Sequence, residues 1–159
     1  MVTFKPSNVP ITEQEIACFE KRINSPLPSE YRQFMLRHNG GEFPNGVYRG
    51  IDECLVQPEF YPLLNATKNE WGFIDEVSYW RFEDKDSIEL EDEEIPPNQY
   101  LKIGTDFIGN TICLSLKEET ANFVYLYIYS GVHVHMNLIS KSFCNVINID
   151  NMEYYGDDE

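Results

Sequence analysis

Two histidines two positions apart, His133 and His135, are the pair in this sequence whose spacing could hold a transition metal. On a β-strand, residues i and i+2 share a face, so both imidazoles would project the same way. Two imidazoles do not make a site, and no Asp, Glu or Cys stands near them as a third ligand. Packing on a strand face is therefore the expected role, with a metal-dependent enzyme using His133 and His135 kept as a minor alternative. No other constellation supports catalysis. The chain has no G-x-S-x-G elbow, no H-E-x-x-H, no Walker A loop and no G-x-G-x-x-G. Carboxylates abound, but acid–base work needs neighbours that separate two pKa values, and runs such as Glu91–Glu94 are hydrated. No catalytic residue, metal or cofactor is expected.

The carboxylates matter in another way. The 159 residues carry 27 acidic and 12 basic side chains, a net charge of −15. Residues 83–94 (EDKDSIELEDEE) contribute −7 and residues 150–159 contribute −5, which leaves −3 over the other 137. Such a chain has no general attraction for nucleic-acid phosphates or anionic lipid, so neither nucleic acid nor membrane is an expected partner. A basic protein is the natural complement. Glu83, Asp84, Asp86, Glu89, Glu91, Asp92, Glu93 and Glu94 are the candidate recognition residues, with Trp80 as an aromatic anchor. Ile88, Leu90 and Ile95 add apolar contacts to that segment.

The elements that position these residues follow from local patterning. Thr12 and Glu15 form a capping box, with Ile11 and Ile16 as a hydrophobic staple. Ile16, Phe19 and Ile23 then recur at helical spacing, and Asn24-Ser25-Pro26 ends the helix. A second helix is expected to begin at Leu27-Pro28, with Pro28 at its first helical position. Tyr31, Phe34 and Met35 face inward, and Asn39-Gly40-Gly41 closes it, glycine supplying the left-handed turn. His38 in the last turn is expected to meet the helix carbonyls. Arg22, Arg32 and Arg37 are expected in surface ion pairs.

Strands are expected at 47–51 and 59–64, with Pro58 and Pro62 marking edges or interruptions. The spacing predicts a helix over 70–82, then a solvated loop over 83–94. Residues 100–103 read as a short strand ending in a turn at Gly104-Thr105-Asp106. Thr111–Leu116, Phe123–Tyr129 and Val132–Leu138 read as further strands. The continuous apolar character of Phe123–Tyr129 predicts burial on both faces. Ser142 caps a last helix with Phe143, Val146 and Ile147, and the chain trails into acid from Asp150. With 42% apolar residues there is enough material for one core. The longest purely apolar run is seven residues (Phe123–Tyr129), far below the ~20 of a spanning helix. The N-terminus has no leader pattern. Four well-separated cysteines are expected as buried, reduced thiols, and the expected compartment is the cytoplasm.

In order along the chain, Thr12-x-x-Glu15-Ile16-x-x-Phe19-Glu20, Leu27-Pro28-x-x-Tyr31-x-x-Phe34 and Asn39-Gly40-Gly41 resemble the N-terminal signature of the SMI1/KNR4 family, or SUKH superfamily. Tyr100-Leu101-x-Ile103-Gly104 with Gly109-Asn110-x-Ile112-Cys113-Leu114 is similar to that family's central strand pair, and Val124-Tyr125 and Ser142-Phe143 match its remaining landmarks. The resemblance implies a single-domain α+β fold, a mixed, mostly antiparallel sheet with helices packed against it. It would occupy residues 1–149, with an acidic insertion at 83–94 and an acidic tail at 150–159. It also implies a non-enzymatic immunity protein that binds and neutralises a cognate bacterial toxin, often a nuclease, and the charge of this chain adds that the toxin is basic. The alternative within the family is a regulatory module acting on cellular proteins. The signature residues are caps, turns and core, so they carry the fold and not the toxin-binding site.

Overall fold

A computed structural model describes residues 1–63, 99–129 and 134–156. Trp80, the acidic residues 83–94, the helix expected at 70–82 and His133 lie outside the described residues. The fold is α+β, and every pairing among the described strands is antiparallel.

Helix α1 (Glu13–Ile23) is built as its sequence dictates. Thr12 caps it, the Glu15 amide donating to Thr12 Oγ1 at 3.2 Å and the Thr12 amide to Glu15 Oε2 at 2.8 Å. Ile16, Phe19 and Ile23 are its buried stripe, and Asn24 ends it at φ 52°. Helix α2 (Ser29–His38) buries Tyr31, Phe34 and Met35. Pro28 is its N-cap rather than its first helical residue, and a proline there brings no side-chain acceptor. The missing acceptor is supplied from far along the chain: the Glu30 amide donates to Asn122 Oδ1 at 3.1 Å. At the other end Asn39, not glycine, takes the left-handed cap conformation (φ 46°). Gly40 and Gly41 follow at φ 91° and 144°, for a further reason. A side-chain carbon on Gly40 would lie 2.6 Å from the Phe60 carbonyl oxygen, and one on Gly41 2.6 Å from that of Lys5. The N-G-G signature is thus a cap followed by a close backbone crossing.

That crossing begins a seven-stranded sheet. Its strands are β1 (Lys5–Pro6), β2 (Gly41–Glu42), β5 (Pro58–Phe60), β6 (Tyr100–Asp106), β7 (Thr111–Ser115), β8 (Val124–Tyr129) and β9 (Val134–Ser140), adjacent in that order. Between β2 and β5 the chain leaves to form β3 (Gly46–Arg49) and β4 (Leu55–Val56) of a second sheet. β10 (Met152–Tyr154) pairs with β3 and completes it.

Several expectations are corrected by these pairings. Pro58 opens an interior strand and not an edge, the first strand position being one that proline tolerates. β6 runs through Gly104-Thr105-Asp106, which read as a turn, because β5 and β7 hold it from both sides across a bulge at Lys102/Gly104. β8 is not buried on both faces: Val124 and Leu126 are buried while Tyr125 and Tyr127 are half-buried. The acidic C-terminus does not simply trail away, since Met152–Tyr154 is a sheet strand.

The last helix, α3 (Phe143–Ile147), begins after Ser142, but the Ser142 side chain does not cap it. Glu30 of α2 does so: one carboxylate oxygen accepts from Cys144 N at 2.8 Å and from Ser142 Oγ at 2.9 Å. A carboxylate suits a helix N-terminus, where the amides are unpaired. Both helices pack on one side of the sheet through an aromatic cluster. Phe143 meets Tyr31, Phe34 and Phe60 edge-on at 5.2, 5.3 and 5.4 Å. Tyr31 is fully buried with its hydroxyl unpaired, and burial pushes its pKa well above the usual tyrosine range.

Candidate protein-recognition surfaces

His135, the described member of the histidine pair, lies on β9 opposite Ile128 and is exposed. His38 does not act as a charged helix cap. Its ring packs 5.0 Å from Phe4 and 5.5 Å from Phe34, and burial, with Arg37 nearby, lowers its pKa, which favours the neutral form. It lines a cleft of about 270 Å³ between the N-terminal segment 6–11 and the end of α2. Arg32 forms the expected ion pairs, 2.6 Å from Glu13 and 3.4 Å from Glu20. Of the four free cysteines only Cys113 is buried; Cys18 and Cys144 are exposed, so the expectation of buried thiols fails for them. Both exposed thiols lie on helices whose apolar stripes are supplied by other positions.

The sheet's second face carries Tyr100, Tyr125, Tyr127 and Met136 around Cys113. Tyr100 and Tyr125 meet edge-on at 5.3 Å, and Lys117 Nζ stands 5.8 Å from the Tyr100 ring centre. Burial pushes the Cys113 thiol far up, opposed by Lys102, so this sulfur is a packing group and not a nucleophile.

Met1 apart, the large exposed apolar side chains among the described residues fall in two places. One is the β6–β7 turn, where Phe107 and Ile108 are 61% and 67% exposed. The turn is held from inside by the buried Asp106 carboxylate, which accepts from Ile108 N (3.1 Å), Asn110 N (2.7 Å) and Asn110 Nδ2 (2.8 Å). The other is the small sheet β10–β3–β4. Ile51, Leu55, Tyr154 and Tyr155 are all exposed there, and Ile149 precedes its third strand. Arg49 on β3 makes a bidentate pair with Glu153 on β10 (2.8 and 3.1 Å) and reaches Glu53 at 3.5 Å. Arg49 and Leu55 are cross-strand partners.

Neither surface was marked by sequence reasoning. The turn's signal is two large apolar residues between an Asp and a Gly-Asn, where polar residues are usual. The small sheet leaves no local signal, because β10 joins it from more than a hundred residues away. Rigid backbone presenting aromatic and aliphatic side chains beside carboxylates is suited to binding protein, since few rotamers are lost on contact. Among the described residues, no group of three or more His, Cys, Asp or Glu side chains could hold a metal, and no helix is long and apolar enough to cross a membrane.

Comparison with curated proteins returns no match. The sequence profile of the SMI1 / KNR4 family (SUKH-1) matches residues 10–148, which runs from the residues before the α1 cap to the end of α3. The chain belongs to the SMI1/KNR4 family (SUKH-1).

Proposed function

We propose that this chain is an immunity protein, a stoichiometric inhibitor that binds a cognate bacterial toxin and blocks it without catalysis. The observation that carries the reading is family membership over residues 10–148 in a chain of net charge −15. A toxin that cleaves nucleic acid must hold phosphates, so its active surface is basic. An acidic inhibitor complements that surface, and opposite charge steers the two together. The segment 83–94 supplies the densest charge, through Glu83, Asp84, Asp86, Glu89, Glu91, Asp92, Glu93 and Glu94, with Trp80 beside it as the apolar anchor.

Charge reversal tests this role. Changing Glu89, Glu91, Glu93 and Glu94 to lysine is expected to slow association with the cognate toxin domain by about tenfold or more at low salt. The dependence of the association rate on salt should flatten as well, because exposed charges act over a Debye length. Stopped-flow or surface-plasmon kinetics across a salt series reads both quantities. Association rates equal to wild type at every salt concentration would remove this segment from the interface.

A further inference from the structure

We infer that the exposed rim of the small sheet β10–β3–β4, with the turn before β4 and the residues after β10, is a docking surface for a basic protein. This rests on the toxin reading above for the partner's identity and assigns it a second contact region, remote in sequence from residues 83–94. Five of the eight large apolar side chains exposed among the described residues belong to this sheet and its flanks. Ile51 is 59% exposed, Leu55 44%, Tyr154 51% and Tyr155 63%. Their backbone is fixed. Tyr48 pairs with both Met152 and Val56, Ile51 N donates to the Ile139 carbonyl at 3.0 Å, and Tyr155 N donates to the Asn45 carbonyl at 3.0 Å. Such side chains bury apolar area on contact and lose little freedom, the profile of interface anchors.

Charge selects the occupant. Asp52 and Glu53 follow Ile51 in the chain, Asp150 follows Ile149 and Glu153 precedes Tyr154, and Arg49 is the cation that Glu53 and Glu153 share. Glu153 and Glu53 both engage that guanidinium, so it is already neutralised from two sides. The remaining field is negative. A second copy of this chain would bring the same acids face to face, and nucleic acid or anionic lipid would be repelled. A protein with an apolar patch rimmed by Lys and Arg fits. The apolar side chains then set the lifetime of the complex and the carboxylates its rate of formation.

The test uses the full chain and the C-terminal domain of the protein that the adjacent gene encodes. Ile51→Ser/Tyr155→Ser removes the two most exposed side chains of the patch and is expected to weaken binding at least tenfold, through faster dissociation. Glu53→Lys/Asp150→Lys is expected to slow association several-fold at low salt, with the difference vanishing at high salt. Gln14→Ser, exposed on α1, serves as the control and is expected to bind as wild type, while Phe107→Ser/Ile108→Ser tests the β6–β7 turn as the rival surface. Circular dichroism and melting confirm that each variant folds, and the charge pair keeps the test readable if the serine pair does not. Wild-type binding that both small-sheet variants retain, or a loss confined to the turn variant, overturns this assignment and leaves the toxin reading standing. A wild-type chain that does not bind the domain overturns the toxin reading, and this assignment with it.

Discussion

Phe143→Ala is expected to destabilise the fold by about 3–5 kcal/mol, the range for deleting a buried aromatic side chain. Phe143 is fully buried and is the ring on which three others converge: Tyr31 and Phe34 of α2 and Phe60 of β5 all meet it edge-on. Alanine removes the positive ring edges and quadrupolar faces that order this cluster, and leaves a void that two helices and a strand would have to close together. Domains of this size are stable by only about 5–15 kcal/mol, so the loss is a large share of the total. The melting temperature should fall by on the order of 10 °C. Chemical denaturation monitored by tyrosine fluorescence checks the value, and Phe143→Leu, which keeps most of the volume, should cost markedly less. A drop below 1 kcal/mol for the alanine variant would mean that α3 is not packed as described.

Asn39→Ala is expected to cost about 2–4 kcal/mol, from two separate causes. The side chain is 1% exposed and joins three segments. Its Oδ1 accepts from Leu63 N at 2.8 Å and its Nδ2 donates to the Val9 carbonyl at 3.0 Å. Alanine would leave the buried Leu63 N–H without an acceptor, and a buried donor left unpaired costs about 1–3 kcal/mol. It would also have to hold φ 46°, a left-handed conformation that asparagine tolerates and alanine does not. Asn39→Gly separates the two, relieving the backbone while still losing both hydrogen bonds, so it should fall between wild type and alanine. Equal stability of the glycine and alanine variants would show that side-chain bonding carries the whole effect.

These two residues also show which parts of the fold are legible in a single sequence. The capping box at Thr12–Glu15 and the buried stripe Ile16, Phe19, Ile23 need only neighbours within one helix, and they were read correctly. Phe143 and Val146 were legible as core for the same reason. What escaped is non-local. Pro28 gives α2 no capping side chain, and the acceptor comes from Asn122; Ser142 sits at the right place to cap α3, yet Glu30 from α2 accepts from its first turn instead. β6 continues through Gly104 because strands on both sides pair with it, which outweighs the turn propensity of Gly-Thr-Asp. The alternation in β8 was hidden because tyrosine counts as apolar in a periodicity argument while its hydroxyl lets it stand half in water. For β10, acidic composition pointed outward, while Met152 joins the core and the backbone pairs with β3.

Charge was legible as a quantity and only partly as a location. Residues 83–94 could be named at once as a likeness of opposite charge to a basic partner. Glu53 and Glu153 stand 100 positions apart and meet at Arg49 only when β3 and β10 pair. In the proposed reading, the run in sequence and the patch in space contribute separately to partner choice.

The central claim is that this chain neutralises a toxin by occupying it, one molecule to one. The most direct measurement is a titration: the activity of the purified cognate toxin domain, followed as the chain is added at a toxin concentration well above the dissociation constant. Stoichiometric inhibition predicts a straight fall in activity that reaches its floor at one equivalent. Full activity in the presence of excess chain, or complete inactivation by a small fraction of an equivalent as a catalyst would achieve, would contradict the account.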